Sequence, residues 1–500
     1  MIKIFTLLLS LSVLVDAATI YYVDPSGGSD ANNGTDPSTP WLHYPGDPSA
    51  TGIPAATTVN GDTLYLKGGT TYLLSGSAGV TISSTRYNTQ NGVTFSSGVD
   101  VGWGATRPKI EGNNTAKHWF QLLSMTNVTI KNLEFQNTVG ASDGTGALYI
   151  FRGWSNTVNN CYIHDSGTNL STCHEDCLDI VDGVGNNIVT NCYIYNATQR
   201  CIAIRGPGNS NNIVTYNICG GATDHDIFVN TSFNTIFGNT CSNAAVASIW
   251  LQASVDPGFA FKFTSSGSSS ICNYNLCYNN VAVHNNGGIQ IDNNGTADMV
   301  GNQIYNNDIV DVGYGNGSGS PSGIIRLNIS STGRINESKI RNNIFYGQNN
   351  STSSWSKTSI RVSGTTLGTN NMVSHNLYGT TGGINIVTMI AISGTTRQPT
   401  LANFADNGST SPDYRFAESG HGTGNSFDSS TSQIFNIDPV FKSYPGDLAI
   451  AGGSPCIGVA TNLSSLFTTD ILGRARVNWS IGAYESPNAR LQVLGRVDIQ

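Results

Sequence analysis

The chain has 500 residues, a formal net charge of −8, only 11% charged side chains and 57 glycines. So few charges among so many turn formers exclude a mainly helical protein, and the lack of any basic run excludes nucleic acid as the expected partner. Asn, Ser, Thr and Gly carry the polarity instead, as in proteins made of many short strands and tight turns.

Residues 1–18 read as a secretory signal. Lys3 opens the segment, and residues 4–15 form an apolar core too short to span a bilayer. No later stretch is long and apolar enough to cross a membrane, so the expected location is secreted or on the extracellular surface. Residues 19–60 read as an N-terminal cap, 61–400 as the repeat region, and 401–500 as a loop-rich C-terminal segment and cap.

Inside the repeat region two phrases alternate. The first is an apolar-x-apolar triplet: Leu148-Tyr149-Ile150, Leu178-Asp179-Ile180, Ile202-Ala203-Ile204, Ile227-Phe228-Val229, Ile249-Trp250-Leu251, Ile289-Gln290-Ile291, Ile325-Arg326-Leu327 and Ile360-Arg361-Val362. The second opens on asparagine, as in Asn160-Cys161-Tyr162-Ile163, Asn191-Cys192-Tyr193-Ile194 and Asn343-Ile344-Phe345-Tyr346. Strand-sized repeats without a helical pattern between them predict an all-β fold, a right-handed parallel β-helix (solenoid) with loop-rich caps. Where the triplets space out, the excess leaves as loops. Residues 255–270, with Phe259, Phe261, Lys262 and Phe263, read as such a loop, either walling a groove or lying on the outer surface.

Nine of the ten cysteines fall between Cys161 and Cys277. Cys161 and Cys192 occupy equivalent positions and should stack inward. Cys177 and Cys201 should stack outward. Export permits a disulfide within either pair, and small apolar thiols are the alternative.

Alternate residues of a strand face opposite ways. With the apolar members of each triplet inward, the outward column is Tyr149, Asp179, Ala203, Phe228, Trp250, Gln290, Arg326 and Arg361. Its neighbour is Arg205, Asn230, Gln252, Asp292 and Asn328, and Asp176, Arg200 and His225 align just before the strands. Such a strip suits a sugar chain: rings stack on aromatics, hydroxyls bond amides and carboxylates, and uronates meet arginine. Tyr149, Trp250, Gln252, Gln290, Asp292 and Arg326 are the expected substrate-binding residues, and polysaccharide is the expected partner of a monomer.

The densest chemistry is His174-Glu175-Asp176-Cys177-Leu178-Asp179. Its carboxylates must be answered by Arg200 and Arg205 or by a cation such as Ca²⁺; acids capping a turn are the structural alternative. The second cluster is Asp224-His225-Asp226, where a histidine between two acids is a candidate base with a raised pKa.

Four resemblances follow from these residues. The opening Tyr22-Val23-Asp24-Pro25-Ser26-Gly27-Gly28 with Pro40-Trp41 is similar to that of secreted right-handed β-helix carbohydrate-active enzymes. Asp438-Pro439-Val440-Phe441 through Ile481-Gly482-Ala483-Tyr484-Glu485 resembles the closing segment of the choice-of-anchor Q type. Glu175-Asp176-Cys177-Leu178-Asp179 resembles the Asp-Asp-Gly-x-Asp calcium motif of family 9 polysaccharide lyases, with Asp143 matching a further calcium ligand. That likeness implies Ca²⁺ on Asp143, Glu175, Asp176 and Asp179. It departs from the motif at Glu175 and Cys177, and no lysine follows on the next rungs before Lys262, where the family uses a lysine base. Asp224-His225-Asp226 also resembles the site of alginate epimerases, without its proline.

The expected function is therefore a polysaccharide lyase cleaving a uronate-containing glycan by β-elimination. Arg205 or Ca²⁺ would neutralise the carboxylate, and His225 or Arg200 would act as base, beside Asp226. The alternatives are a non-catalytic glycan-binding or adhesin-type β-helix, and a glycoside hydrolase pairing Asp179 with Asp226.

Overall fold

The computed structural model describes residues 18–57, 61–74, 79–83, 92–139, 146–167, 175–183, 185–244, 258–267, 271–312, 324–329, 331–346, 358–363, 368–379, 388–392, 426–427, 434–435, 437–444 and 446–486. The expected signal segment lies outside them, apart from Ala18. No described helix is long and apolar enough to cross a membrane.

Each coil of the chain lays one strand into each of three long sheets. Leu178–Val181, Ile188–Thr190 and Tyr193–Ala197 make one coil, and Arg200–Arg205 begins the next beside Leu178–Val181. Among the described residues sheet 1 has 13 strands, sheet 2 has 11 and sheet 3 has 12, and every pair within them is parallel. This is a parallel β-helix, right-handed as crossovers between parallel strands are. The segment expected to be a cap contributes the first strand itself, since Ile20–Val23 pairs with Thr63–Leu66.

The triplets stack as their alternation requires. Leu148, Leu178, Ile202 and Ile227 are register partners, and so are Ile150, Ile180, Ile204 and Val229. These side chains fill one continuous core with Val158, Val189 and Val214 of sheet 1 and Ile163, Ile194 and Cys219 of sheet 3. The corner between sheets 1 and 3 needs a residue in the left-handed region. Asn132, Asn160 and Asn191 take it, with φ of 61°, 51° and 55°, because a short amide side chain tolerates that conformation best after glycine.

A second set of asparagines is buried and carries the corners' hydrogen bonds. One ladder runs Asn156, Asn187, Asn212, Asn234, Asn275 and Asn302, the other Asn217, Asn239, Asn280, Asn307, Asn343 and Asn376. Each Oδ1 accepts a backbone N–H from one coil earlier, that of the preceding asparagine within each ladder and of Val128 or Cys192 at its start. These bonds satisfy backbone groups that the sheets leave unpaired at the turns.

Residues 437–486 lie along the flank of the solenoid. Arg476 is buried there and donates to Asn279 Oδ1 at 2.7 Å and to the carbonyls of Gly482 and Ala483. Asp308 of sheet 3 accepts the N–H of Ala483 at 3.0 Å. Burial pushes the Asp308 carboxyl up to about 7, against the pull of that N–H and of Arg476. A carboxyl raised in the folded state binds its proton more tightly there than in the unfolded chain. Its contribution is whole below about pH 4 and is lost as pH rises through about 7. Asp308→Asn should therefore flatten a fall in melting temperature that the unaltered protein shows between those pH values, as read by thermal unfolding across the range.

Candidate functional site

The outward face of sheet 2 brings the two acidic clusters together. Tyr149, Asp179, Ala203 and Phe228 align across four consecutive rungs. The next rung differs from expectation. Phe259–Gly267 pairs directly with His225–Val229, which puts Lys262 between Phe228 and Gln290, and Thr264 beside Asp292. The strand found on that rung is Phe259–Gly267, and Ile249-Trp250-Leu251, Gln252 and Asp143 lie outside the described residues. Residues 259–267 are likewise no surface loop, because Phe261 and Phe263 are in the core. The signal was present: Phe261-Lys262-Phe263 repeats the apolar-x-apolar phrase with larger side chains.

The wall is also less open than alternation implies. Asp179, Ala203 and Gln290 are fully buried, and Lys262 is only 7% exposed. Longer side chains of neighbouring rungs cover the shorter ones. Arg205 clasps Asp179, its Nε donating to both carboxylate oxygens at 3.0 Å and its Nη2 to Oδ2. On the other side Gly146 leaves room that a Cβ would take, 2.4 Å from the Asp179 Cβ. Burial holds Asp179 above the usual carboxylate range despite Arg205, whereas the hydrogen bonds and charge of Asp179 outweigh burial at Arg205 and keep it charged.

Arg200 links the clusters. Its Nη1 lies 3.6 Å from Asp176 Oδ2, its Nε 3.6 Å from Asp224 Oδ2, and its guanidinium 3.9 Å above the Phe228 ring. Burial, reinforced by Asp179 and opposed by Arg200, pushes Asp176 up to about 7.

His225 is on this wall, stacked near Phe228, but its chemistry is the reverse of the expected base. Its Nδ1 accepts the N–H of Phe259 at 3.0 Å, and its Nε2 faces Asp224 Oδ1 at 3.1 Å. The Nδ1 lone pair is thus committed, and Nε2 carries the hydrogen. Burial, with Lys262 and Arg200 nearby, holds the ring well below its usual pKa, so it stays neutral.

Asp226 leaves the wall altogether. Its carboxyl points inward, with the Cys201 thiol 3.8 Å from Oδ1, and burial raises it well above the usual range. Cys177 and Cys201 are also in the core rather than stacked outward. The cause is the corner into sheet 2: Cys177 and Leu178 both face inward, as do Cys201 and Ile202, because alternation has not begun where the chain still turns. The Asp179–Asp226 pair of a hydrolase is thereby split between opposite faces. The nine described cysteines, Cys161 and Cys192 among them, are free and buried, so neither expected pair is bonded.

Of the expected calcium set, Asp143 lies outside the described residues, and the three described members do not converge. Glu175 turns away to accept from Thr138 Oγ1 at 2.9 Å, and Asp179 is taken by Arg205. Among the described residues no group of three or more His, Cys, Asp or Glu is placed to hold a metal ion.

A second network begins at Lys262. Its Nζ lies 3.4 Å from Asp292 Oδ2, Asp292 accepts from Asn294 and Asn328, and Arg326 donates to Asn328 Oδ1 at 3.3 Å. Lys262 stands three rungs beyond Asp179, about 14 Å along the stack.

Fold and wall together define a parallel β-helix protein with a buried, charge-matched outer face. No family model and no curated protein matches the sequence. Among solved structures the chain is similar to the pectate lyase Pel9A, at 16% identity and a TM-score of 0.44, over 94% of this chain and 96% of that one. It is also similar to XylC in complex with xylose, at 11% identity and a TM-score of 0.46, over 93% and 98%. The A-module of the mannuronan C-5 epimerase AlgE4 from Azotobacter vinelandii matches at 9% identity and a TM-score of 0.42, over 77% and 90%. At such similarity the architecture is what they have in common.

Proposed function

We propose that this chain is a secreted carbohydrate-active protein that holds an acidic polysaccharide along the outer face of sheet 2 and cleaves it by β-elimination. The observation that carries the reading is the gathering of Arg200, Arg205, Lys262 and Arg326 on one wall, with the Phe228 ring between them and the Tyr149 ring two rungs before Arg200 and Arg205. A uronan is a row of rings that each bear a carboxylate, and cations and flat side chains are the groups that recognise it.

In elimination a cation neutralises the carboxylate next to C5, which stabilises the charge developing there. A base takes the C5 proton, the C4–O bond breaks, its oxygen leaves and is protonated, and a C4=C5 double bond forms. Arg200 is suited to the first task. A guanidinium does not give up its proton, so Arg200 is not the base, and His225 has its accepting nitrogen engaged. Lys262, as a neutral amine, is the candidate base on this wall: it takes the C5 proton, and water protonates the departing oxygen. No step is assigned to Ca²⁺, because the donors do not converge.

The test is incubation with a panel of uronans, following the ultraviolet absorbance of the unsaturated product. Lys262→Met should slow product formation by about a thousandfold, the scale of losing a general base, while polysaccharide binding, with three of the four cations left, weakens far less. Binding by the unaltered chain without any new absorbance or new chain ends would make it a glycan-binding protein instead. The ion pair that already occupies Lys262 with Asp292 is the observation on that side.

A further inference from the structure

Gln290 stands on the outer face of sheet 2 in register between Lys262 and Arg326. It is fully buried, and among the described residues neither its Nε2 nor its Oε1 meets a hydrogen-bond partner. A buried amide without partners weakens a fold, and native proteins rarely keep one unless something completes it. Its neighbours do not do so. Lys262 is engaged with Asp292, Asp292 with Asn294 and Asn328, and Arg326 with Asn328. That network holds one cation a rung before the amide and another a rung after it, about 10 Å apart.

We infer that Gln290 is the specificity-determining residue of a uronate subsite bounded by Lys262 and Arg326. The amide offers a donor and an acceptor side by side. A uronate offers the complement, a carboxylate oxygen to accept from Nε2–H and a ring hydroxyl to donate to Oε1. The two flanking cations supply the charge that makes the carboxylate the preferred group. A neutral hexose brings hydroxyls only and gains nothing from the positive charge on either side. Gln290 orients the sugar, and the cations select it. The inference rests on the acidic-polysaccharide reading and adds the residue by which the sugar is read.

A structural glutamine and a ligand-reading glutamine respond oppositely to replacement. Gln290→Leu removes an unpaired buried amide at similar volume, so a ligand-reading role predicts an unchanged or higher melting temperature together with weaker binding. The experiment is calorimetric binding of short uronic-acid oligosaccharides and of their carboxyl-reduced counterparts, beside thermal unfolding of the same samples. Gln290→Leu should bind the uronate oligosaccharides about tenfold more weakly or worse, while the reduced sugars bind both forms equally poorly. Gln290→Glu keeps the shape, adds a negative charge, and should weaken uronate binding further; it serves if the leucine form does not fold. Unchanged affinity with a lower melting temperature would make Gln290 structural and overturn the inference, leaving the acidic-polysaccharide reading intact. Failure of the unaltered chain to bind any uronate oligosaccharide would remove that reading, and the inference with it.

Discussion

Asn239→Ala is expected to destabilise the solenoid by roughly 3–5 kcal/mol, the sum of two or three buried groups left unpaired at about 1–3 kcal/mol each. Asn239 is fully buried and second in its ladder, with an asparagine on either side. Its Oδ1 accepts from both the N–H and the side-chain amide of Asn217 at 3.0 Å. Its Nδ2 donates to the carbonyl of Val214 at 2.9 Å and to Asn280 Oδ1 at 3.0 Å. Alanine deletes all of these and gives the abandoned groups no water. Coils of a solenoid touch mainly their neighbours, so the loss should appear first as local opening around the coils of Asn217 and Asn280. Denaturant unfolding measures the total, and amide hydrogen exchange locates it. A loss below about 1 kcal/mol would mean that the ladder guides the turns without stabilising them.

The second large effect is expected at Arg205. Arg205→Ala should cost about 3–5 kcal/mol, the usual result of removing one partner of a buried ion pair. Asp179 would be left fully buried, with Gly146 pressed against it and no guanidinium to bond. The double change Arg205→Met with Asp179→Asn should recover most of that loss, because it removes the charge as well as its partner. Equal destabilisation by the single and double variants, measured by denaturant unfolding, would show that Arg205 acts through packing and not through Asp179. In the double variant the wall also loses one of the four cations assigned to polysaccharide binding, so affinity for a uronan should fall even where stability returns.

The stacking was legible in the sequence because its cause is local. Inward pairs such as Leu178 and Ile180 recur with one outward residue between them, and a parallel sheet with one buried face admits a single register for such a pattern. That placed Tyr149, Asp179, Ala203 and Phe228 in one column, where they are found. The same reasoning placed Gln290 beside Arg326 and Asp292 beside Asn328. It failed at the rung after Phe228, where two apolar-x-apolar phrases compete within one insertion and periodicity cannot choose between Ile249-Trp250-Leu251 and Phe261-Lys262-Phe263. The choice moved a lysine onto the wall and altered the candidate chemistry more than any other difference.

Local pattern therefore determined the architecture, the inward columns and the gathering of Asp179, Arg205, Arg200 and His225 on one face. Tertiary structure alone decided what those groups can do. Asp226 and Cys201 turn inward because a corner, unlike a strand, does not alternate. Asp179 loses its water to Arg205 from the next coil, and His225 loses its lone pair to the N–H of Phe259, 34 residues on. Protonation and reactivity depend on such partners and on burial, which chain neighbours do not supply; which face a side chain takes within a strand depends on alternation, which they do.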